Sequence, residues 1–287
     1  MYSKPITHLN RGAILVVVDC SMSMQEQTFL NRVPMRKIEA VATVCNYLID
    51  ELLERAKRHD EVRNYYDIAV LGYSGTDVRS MLAVDTATGF VAIDRLAEVA
   101  PEPRTIVFEQ HTDDGRTTDA KFTLREWIKP EAHGKTPMFQ ALSRVYNMVE
   151  AWCAKADNRH SFPPIVFHIT DGECNDATDA DLINIAKSIC GTKTEEGNTL
   201  LINIHLSPYD ELPSEIFPTE ISATNLSPHY RTLFEMSSIL PEQLNALVAS
   251  IAKPASSGGG YRAMAYNASP CELLTILNIG SESINLA

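Results

Sequence analysis

Residues Ala13 to Val18 form an unbroken, largely β-branched apolar run. A run this short and continuous predicts a strand buried on both faces. Tyr66 to Tyr73, Ile165 to Thr170 and Leu200 to Leu206 predict further strands, and strands over Val78 to Val84 and Arg104 to Gln110 flank a short helix near Gly89 to Ala97. A helical period takes over from Met35 to His59, where Ile38, Val41, Cys45, Leu48 and Leu52 share one stripe with Ile49 and Leu53 beside it. Pro34 suits the entry of that helix, and Arg55, Lys57, Arg58 and His59 crowd its last turn, where cations oppose the helix dipole. From Met138 to Ala154 a broader face gathers Met138, Ala141, Leu142, Val145, Met148, Val149 and Trp152. Helices are also predicted over Asp179 to Cys190 and, after a long Pro- and Ser-bearing loop at 207–229, over Pro241 to Ala252.

Strands alternating with helices of this length imply parallel crossovers, hence a doubly wound, Rossmann-like α/β fold with a mainly parallel sheet and helices on both faces. The Asp-Gly pair in HTDDGRTT is a hairpin signal. It joins strand 104–110 to a strand through Phe122 to Trp127, a decoration on the parallel sheet. Residues 1–254 therefore read as one domain with an inserted hairpin near 101–130. ASSGGG at 255–260 reads as a flexible linker. Residues 261–287 read as a tail with a short strand and a helix, whose Leu273, Leu274, Ile276 and Leu277 imply docking on its own domain.

The chemistry gathers where these strands end. Asp19 closes the first apolar run, and a buried unpaired carboxylate is too costly to lie further inside. It therefore sits at the strand's carboxyl end, where open α/β sheets hold their ligands. Ser21 and Ser23 follow on alternate positions, so three hard oxygen donors fall within five residues and suggest a hard divalent cation, magnesium first. Taken alone, the segment also reads as a buried strand followed by a Ser-rich helix cap. A second buried run ends in Asp171 and Gly172, and Thr136 lies at a Gly-bearing turn just before the Met138 helix. The full set is Asp19, Ser21, Ser23, Thr136 and Asp171.

With its DxSxS turn, distant Thr and TDG turn, the chain resembles a von Willebrand factor type A domain with a complete metal-ion-dependent adhesion site. GKTPM, LFEMSSILPE and YNASPCELLTILNIGS resemble stand-alone bacterial members of that family. The resemblance implies that Ser21, Ser23 and Thr136 bind the metal directly, and that Asp19 and Asp171 do so through water or in alternate direct positions. It also implies an adaptor that binds an Asp or Glu carboxylate of a partner protein through magnesium, with manganese able to substitute, in a bacterial signalling or stress system. A metal-dependent phosphatase of the haloacid dehalogenase type is the enzymatic alternative, but it needs a second acid two residues after the first, where this chain has Ser21. Water-activating metal sites use His or several direct carboxylates, which this set lacks. No catalytic turnover is expected. A scaffold that keeps these residues without using a metal is the remaining alternative.

Composition narrows the partners. With 25 basic and 37 acidic residues the formal net charge is −12, against a nucleic-acid surface. The six cysteines show no zinc-site spacing, and Cys45, Cys153 and Cys190 fall among apolar helical positions as small hydrophobes, which fits a reducing compartment. No apolar stretch is long enough for a membrane span, and MYSKPITHLNRG carries no long apolar segment, so no secretory signal and a cytoplasmic location are expected. His168 and His205, inside strand patterns, read as structural, and His133 as a surface loop residue. Thr178 and Asp181 read as a capping box that accounts for most of the acids after Asp171. Partner choice is expected from the long segments Met24 to Val33 and Ser207 to His229, through Met24, Phe29, Leu30, Tyr209, Phe217 and Tyr230.

Overall fold

The computed structural model describes the chain except for residues 1, 3, 5, 31–32, 85, 112–116, 207–212, 222–226, 250, 253–259 and 283–287. Strand β1 (Gly12–Asp19) is buried along its whole length. The chain then makes a small antiparallel pair, β2 (Gln27–Leu30) with β3 (Val33–Arg36), and enters helix α1 (Lys37–Ala56). Next come β4 (Tyr66–Ser74), β5 (Asp77–Ser80), β6 (Val91–Ala92) and helix α2 (Ile93–Glu98). A two-stranded hairpin, β7 (Arg104–His111) with β8 (Thr117–Leu124), stands apart from the main sheet as the inserted decoration, its turn lying outside the described residues. Helix α3 (Met138–Cys153), strand β9 (Ile165–Thr170), helix α4 (Asp179–Gly191) and strand β10 (Leu200–Leu206) continue the alternation. The described C-terminal part holds β11 (Glu215–Ile216), α5 (Pro228–Met236), the one-turn α6 (Asn245–Val248), β12 (Met264–Ala268) and α7 (Pro270–Glu282).

The main sheet runs in the order β11-β12-β10-β9-β1-β4-β5, with β6 paired to β4. Its five central strands are parallel, and the pairs at β11, β5 and β6 are antiparallel. Alternation along β1 feeds two cores. Ile14, Val16 and Val18 pack with Ile38, Val41 and Leu48 of α1, Leu96 of α2 and Leu273 and Ile276 of α7. Ala13, Leu15 and Val17 pack on the other face with Leu142 and Val149 of α3, Leu182 of α4 and Leu233 of α5. Both faces of the parallel strands are thus covered, as a doubly wound sheet requires.

Several features depart from the pattern reading. The strand expected over Val78 to Val84 is the shorter β5, and the one expected through Phe122 to Trp127 is β8, which ends at Leu124. The helix expected over Pro241 to Ala252 is a 3-10 turn at Glu242–Leu244 followed by α6. Its buried residues are Leu244 and Val248, one turn apart, so the apolar face anchors one turn. Helix α5 instead starts in the last two residues of the expected loop and runs on to Met236, with Pro228 in its first turn, where a missing N–H costs nothing. Residues 261–282, set apart by pattern as a tail, place β12 beside β10 in the main sheet and α7 against α1. Residues 253–259, with nearly all of the expected linker, lie outside the described residues.

Candidate functional site

After β1 the chain crosses to β4 on one side, and β9 later joins on the other, so the strand order reverses at β1 and leaves a crevice beyond its carboxyl end. Parallel pairing of Val18 with Ile169 sets Asp19 and Asp171 at the ends of adjacent strands. Asp19 is fully buried and both its oxygens are engaged: the Ser21 amide donates to Oδ1 at 2.8 Å and the Thr170 hydroxyl to Oδ2 at 2.8 Å. The turn after β1 closes as a 3-10 turn over Met22–Gln25, with Met24 N–H on Ser21 O and Glu26 N–H on Ser23 O. It places Ser21 Oγ and Ser23 Oγ 3.1 Å apart, and Ser23 donates to Asp171 Oδ1 at 2.7 Å.

Thr136 arrives on a loop tied at four points. His133 N–H donates to Cys20 O at 2.7 Å, Met22 N–H to Gly134 O at 3.1 Å and Gly75 N–H to Lys135 O at 2.9 Å, while the Thr136 amide donates to Asn175 Oδ1. The tie at Gly134 needs glycine: its φ is +70°, and a Cβ there would meet Gly75 Cα at 2.9 Å. Gly172 shows where Thr136 faces. A Cβ on it would lie 3.8 Å from Ser23 Oγ and 4.0 Å from Thr136 Oγ1, so both hydroxyls flank the same bare backbone. These contacts bring the five sequence-identified side chains to neighbouring positions beyond the carboxyl ends of β1 and β9.

Two participants were not singled out by sequence. Thr170, the last residue of β9, orients Asp19 and also receives the Gly172 N–H at 3.2 Å. Lys37, the first residue of α1, is 1% exposed, and its Nζ lies 2.8 Å from both Asp171 Oδ2 and Glu26 Oε2. A lysine at a helix N-terminus meets the positive end of the dipole and is disfavoured there, which was the one available hint. Burial pulls the Lys37 ammonium's pKa down, but its bonds and attraction to Asp171 and Glu26 outweigh that and leave it above the ordinary value. Asp19 has no such cation. Burial raises its carboxyl to about 6, against the lowering effect of the Ser21 and Thr170 hydrogen bonds.

Neighbouring groups sort into supporting roles. The His168 ring bonds Tyr73 Oη and Asn203 Oδ1, each at 2.9 Å. Its Nδ1 donates to the Asn203 carbonyl, so Nε2 accepts from Tyr73, and burial holds its pKa down at about 4. His205 stacks on Tyr266 with ring centroids 4.3 Å apart, and burial lowers it to about 3. His133 is exposed, with Nε2 3.2 Å from Ser74 Oγ. Thr178 and Asp181 form the capping box of α4, whereas Asp176 reaches across to cap α3 through the Phe139 and Gln140 amides, both at 3.0 Å. Of the side chains expected to choose a partner, Met24, Leu30, Phe217 and Tyr230 are buried in their own domain. Phe29 is 45% exposed and Tyr209 lies outside the described residues. Met22, not anticipated, is 57% exposed on the turn between the two serines. The cysteines are all free thiols.

The donor chemistry suits a divalent cation. All five side chains offer oxygen, the preference of magnesium and manganese. An octahedron with metal–oxygen bonds of 2.0–2.1 Å has neighbouring oxygens about 2.9 Å apart. The Ser21–Ser23 and Ser23–Asp171 separations of 3.1 and 2.7 Å bracket that spacing, so these three donors are spaced as the ion requires. Among the described residues no group of three or more His, Cys, Asp and Glu side chains forms a metal-holding cluster. Among them, too, no helix is long and apolar enough to cross a membrane.

No protein-family model matches the chain, nor does any curated protein. Among solved structures it is similar to a von Willebrand factor type A protein from Catenulispora acidiphila, at 15% identity and a TM-score of 0.39, over 69% of this chain and 33% of that one. The chain thus spans about a third of that protein's length. It is also similar to an aerotolerance-related membrane protein from Bacteroides fragilis NCTC 9343 with multiple mutations to serines, at 11% identity and a TM-score of 0.38, over 94% of this chain and 99% of that one.

Proposed function

We propose that this protein is a metal-dependent protein-binding module, an adaptor without turnover of its own, that takes an Asp or Glu carboxylate from a partner. What supports this reading is one observation: two serine hydroxyls and Asp171 lie at octahedral-edge spacings, with Asp19 and Thr136 at neighbouring positions beside the strand-order reversal. Ser21, Ser23 and Thr136 would hold the cation, with Asp19 and Asp171 beside it. A magnesium or manganese ion there supplies an open coordination position that favours an outside carboxylate. Neutral hydroxyls leave such an ion most of its positive charge, and this lets a chain of net charge −12 receive an acidic group. Thr170 and the Ser21 amide fix Asp19, and Asn175 fixes the Thr136 loop, so the chain has prepaid the ordering of its donors.

Calorimetric titration with magnesium and manganese, on wild type, Asp19→Ala and Thr136→Ala, tests the site. Binding in wild type and its loss in both folded variants is expected, and equal heats in all three would refute the assignment. A pull-down in magnesium, repeated in chelator, tests the adaptor role. Hydrolysis of phosphate esters that disappears in Asp19→Ala would replace this reading with an enzymatic one.

A further inference from the structure

The two carboxylates of the crevice are treated differently by the fold. Asp19 receives only neutral donors, whereas Asp171 is met by a full positive charge. The Asp171 side chain is 0% exposed and the Lys37 ammonium nearly so, so their attraction is little screened. The other partner of Lys37, Glu26, is 58% exposed and shares its charge with water. The backbone fixes this arrangement as well, since the Lys37 N–H donates to Glu26 O at 2.9 Å. Asp171 is thus held on both sides, Oδ1 by the Ser23 hydroxyl and Oδ2 by Lys37.

Those contacts solve a problem that a hydroxyl-rich cation site creates. Without its cation, a crevice with two buried carboxylates repels itself and pays for desolvated charge. A cation built into the chain removes much of that penalty, and the same charge then repels any divalent ion that arrives beside Asp171. We infer that Lys37 is a tethered cation that keeps the crevice assembled when no metal is bound and sets the affinity for divalent metal by competing with it for Asp171. This inference rests on the metal-site reading above. It adds a residue whose effect on binding has the opposite sign to that of the ligands: deleting a ligand weakens metal binding, and deleting the Lys37 charge strengthens it.

The test is calorimetric titration of the purified full chain with manganese, paired with thermal unfolding in chelator, on wild type, Lys37→Met, Lys37→Gln and Lys37→Arg. Lys37→Met removes the charge and keeps the length. It should bind manganese roughly tenfold more tightly and melt at a lower temperature in chelator, with saturating manganese restoring most of the loss. Lys37→Gln keeps an amide donor without the charge and should tighten binding in the same direction, which guards against a Met variant that does not fold. Lys37→Arg keeps the charge and should leave the affinity within about twofold of wild type. Unchanged or weaker manganese binding in the folded neutral variants would overturn the inference while leaving the metal site standing. No binding in wild type and all variants would overturn the metal reading and the inference with it.

Discussion

Thr170 and Asp19 end adjacent parallel strands, and the Thr170 hydroxyl donates to Asp19 Oδ2 at 2.8 Å. The same hydroxyl also lies 3.2 Å from Gly172 O, so it has a second acceptor at hand. Asp19 is consequently a buried anion held only by neutral donors, and burial lifts its carboxyl to about 6. A carboxyl with a raised folded pKa stabilises the fold while it is protonated. That contribution is complete below the unfolded value near 3.8 and is lost as pH rises through about 6.

Asp19→Asn should therefore stabilise the metal-free protein at pH 7, by about 1–3 kcal/mol, because it removes a buried charge and keeps the shape. Thr170 can turn to Gly172 O when the new amide faces it. The gain should fade below pH 4, where wild-type Asp19 is neutral as well. Urea unfolding in chelator at pH 4 and pH 7 measures both ends, and a variant less stable than wild type at pH 7 would contradict the electrostatic account. The same titration predicts that metal affinity of the wild type rises with pH through about 6, since protons and cation compete for one carboxylate.

His168 should dominate part of the acid limb. Its folded pKa of about 4 lies below the ordinary 6.5, so the stability it contributes is complete above pH 6.5 and is lost as pH falls through about 4. Protonation would put a hydrogen on Nε2, which now accepts from Tyr73 at 2.9 Å. His168→Gln should flatten the decline in unfolding free energy between pH 6.5 and pH 4 while costing about 1–3 kcal/mol at pH 7 through lost packing. Parallel acid limbs in wild type and variant would move the responsibility elsewhere, first to His205, whose pKa is about 3.

Much of this site was legible because a buried carboxylate needs partners, and a strand's carboxyl end supplies them. A carboxylate that ends an unbroken apolar run belongs at the strand's carboxyl end, so the sequence marks Asp19 and Asp171 as strand ends, and the parallel pairing of β1 with β9 sets the two side by side. The broad stripe of α3 was equally plain, and its helix begins at Met138 as the pattern requires. A short strand in the tail was legible, but the place of β12 in the sheet was not. MAYNA is five residues long and follows a Gly-rich run, and its partner β10 lies some sixty residues earlier, a pairing that no local pattern encodes. Helix α5 carried its own signals, Pro228 and the Tyr230, Leu233, Phe234 spacing, but they stand at the end of a Pro- and Ser-bearing loop and just after it, and come before the helix expected from Pro241. Lys37 could not be paired from sequence, because Asp171 lies 134 residues away.

Gly134 holds the Thr136 loop by two constraints at once, a φ of +70° and backbone contact with Gly75. Gly134→Ala should strain that conformation and push the loop off its partner, breaking the Met22 N–H to Gly134 O bond across the crevice. A loss of about 1–3 kcal/mol is expected, with weaker metal binding because Thr136 moves with the loop. Gly191, where an added Cβ meets nothing and φ is ordinary, is the control: Gly191→Ala should change neither property. Circular dichroism melts and manganese titrations on the two variants check the contrast, and equal behaviour would show that the loop tolerates displacement.

The partner surface should centre on Met22 and Phe29, large apolar side chains exposed on the segment that follows Asp19. Met22 sits between the two serines, and Phe29 lies in β2, the strand that follows their turn. Met24 and Leu30, close by in sequence, are buried and serve the domain's own core, so changing them would mix folding with binding. Met22→Ser together with Phe29→Ser should therefore lower partner affinity by about 10- to 100-fold, the range expected when two exposed apolar anchors lose their contact area. Magnesium affinity and melting temperature should stay near wild type, because neither side chain is buried or offers oxygen to the cation. Surface plasmon resonance against the captured partner, with calorimetry for magnesium, separates the two effects. Undiminished partner binding would place specificity on another part of the rim, and loss of magnesium binding would mean that the turn itself had been disturbed.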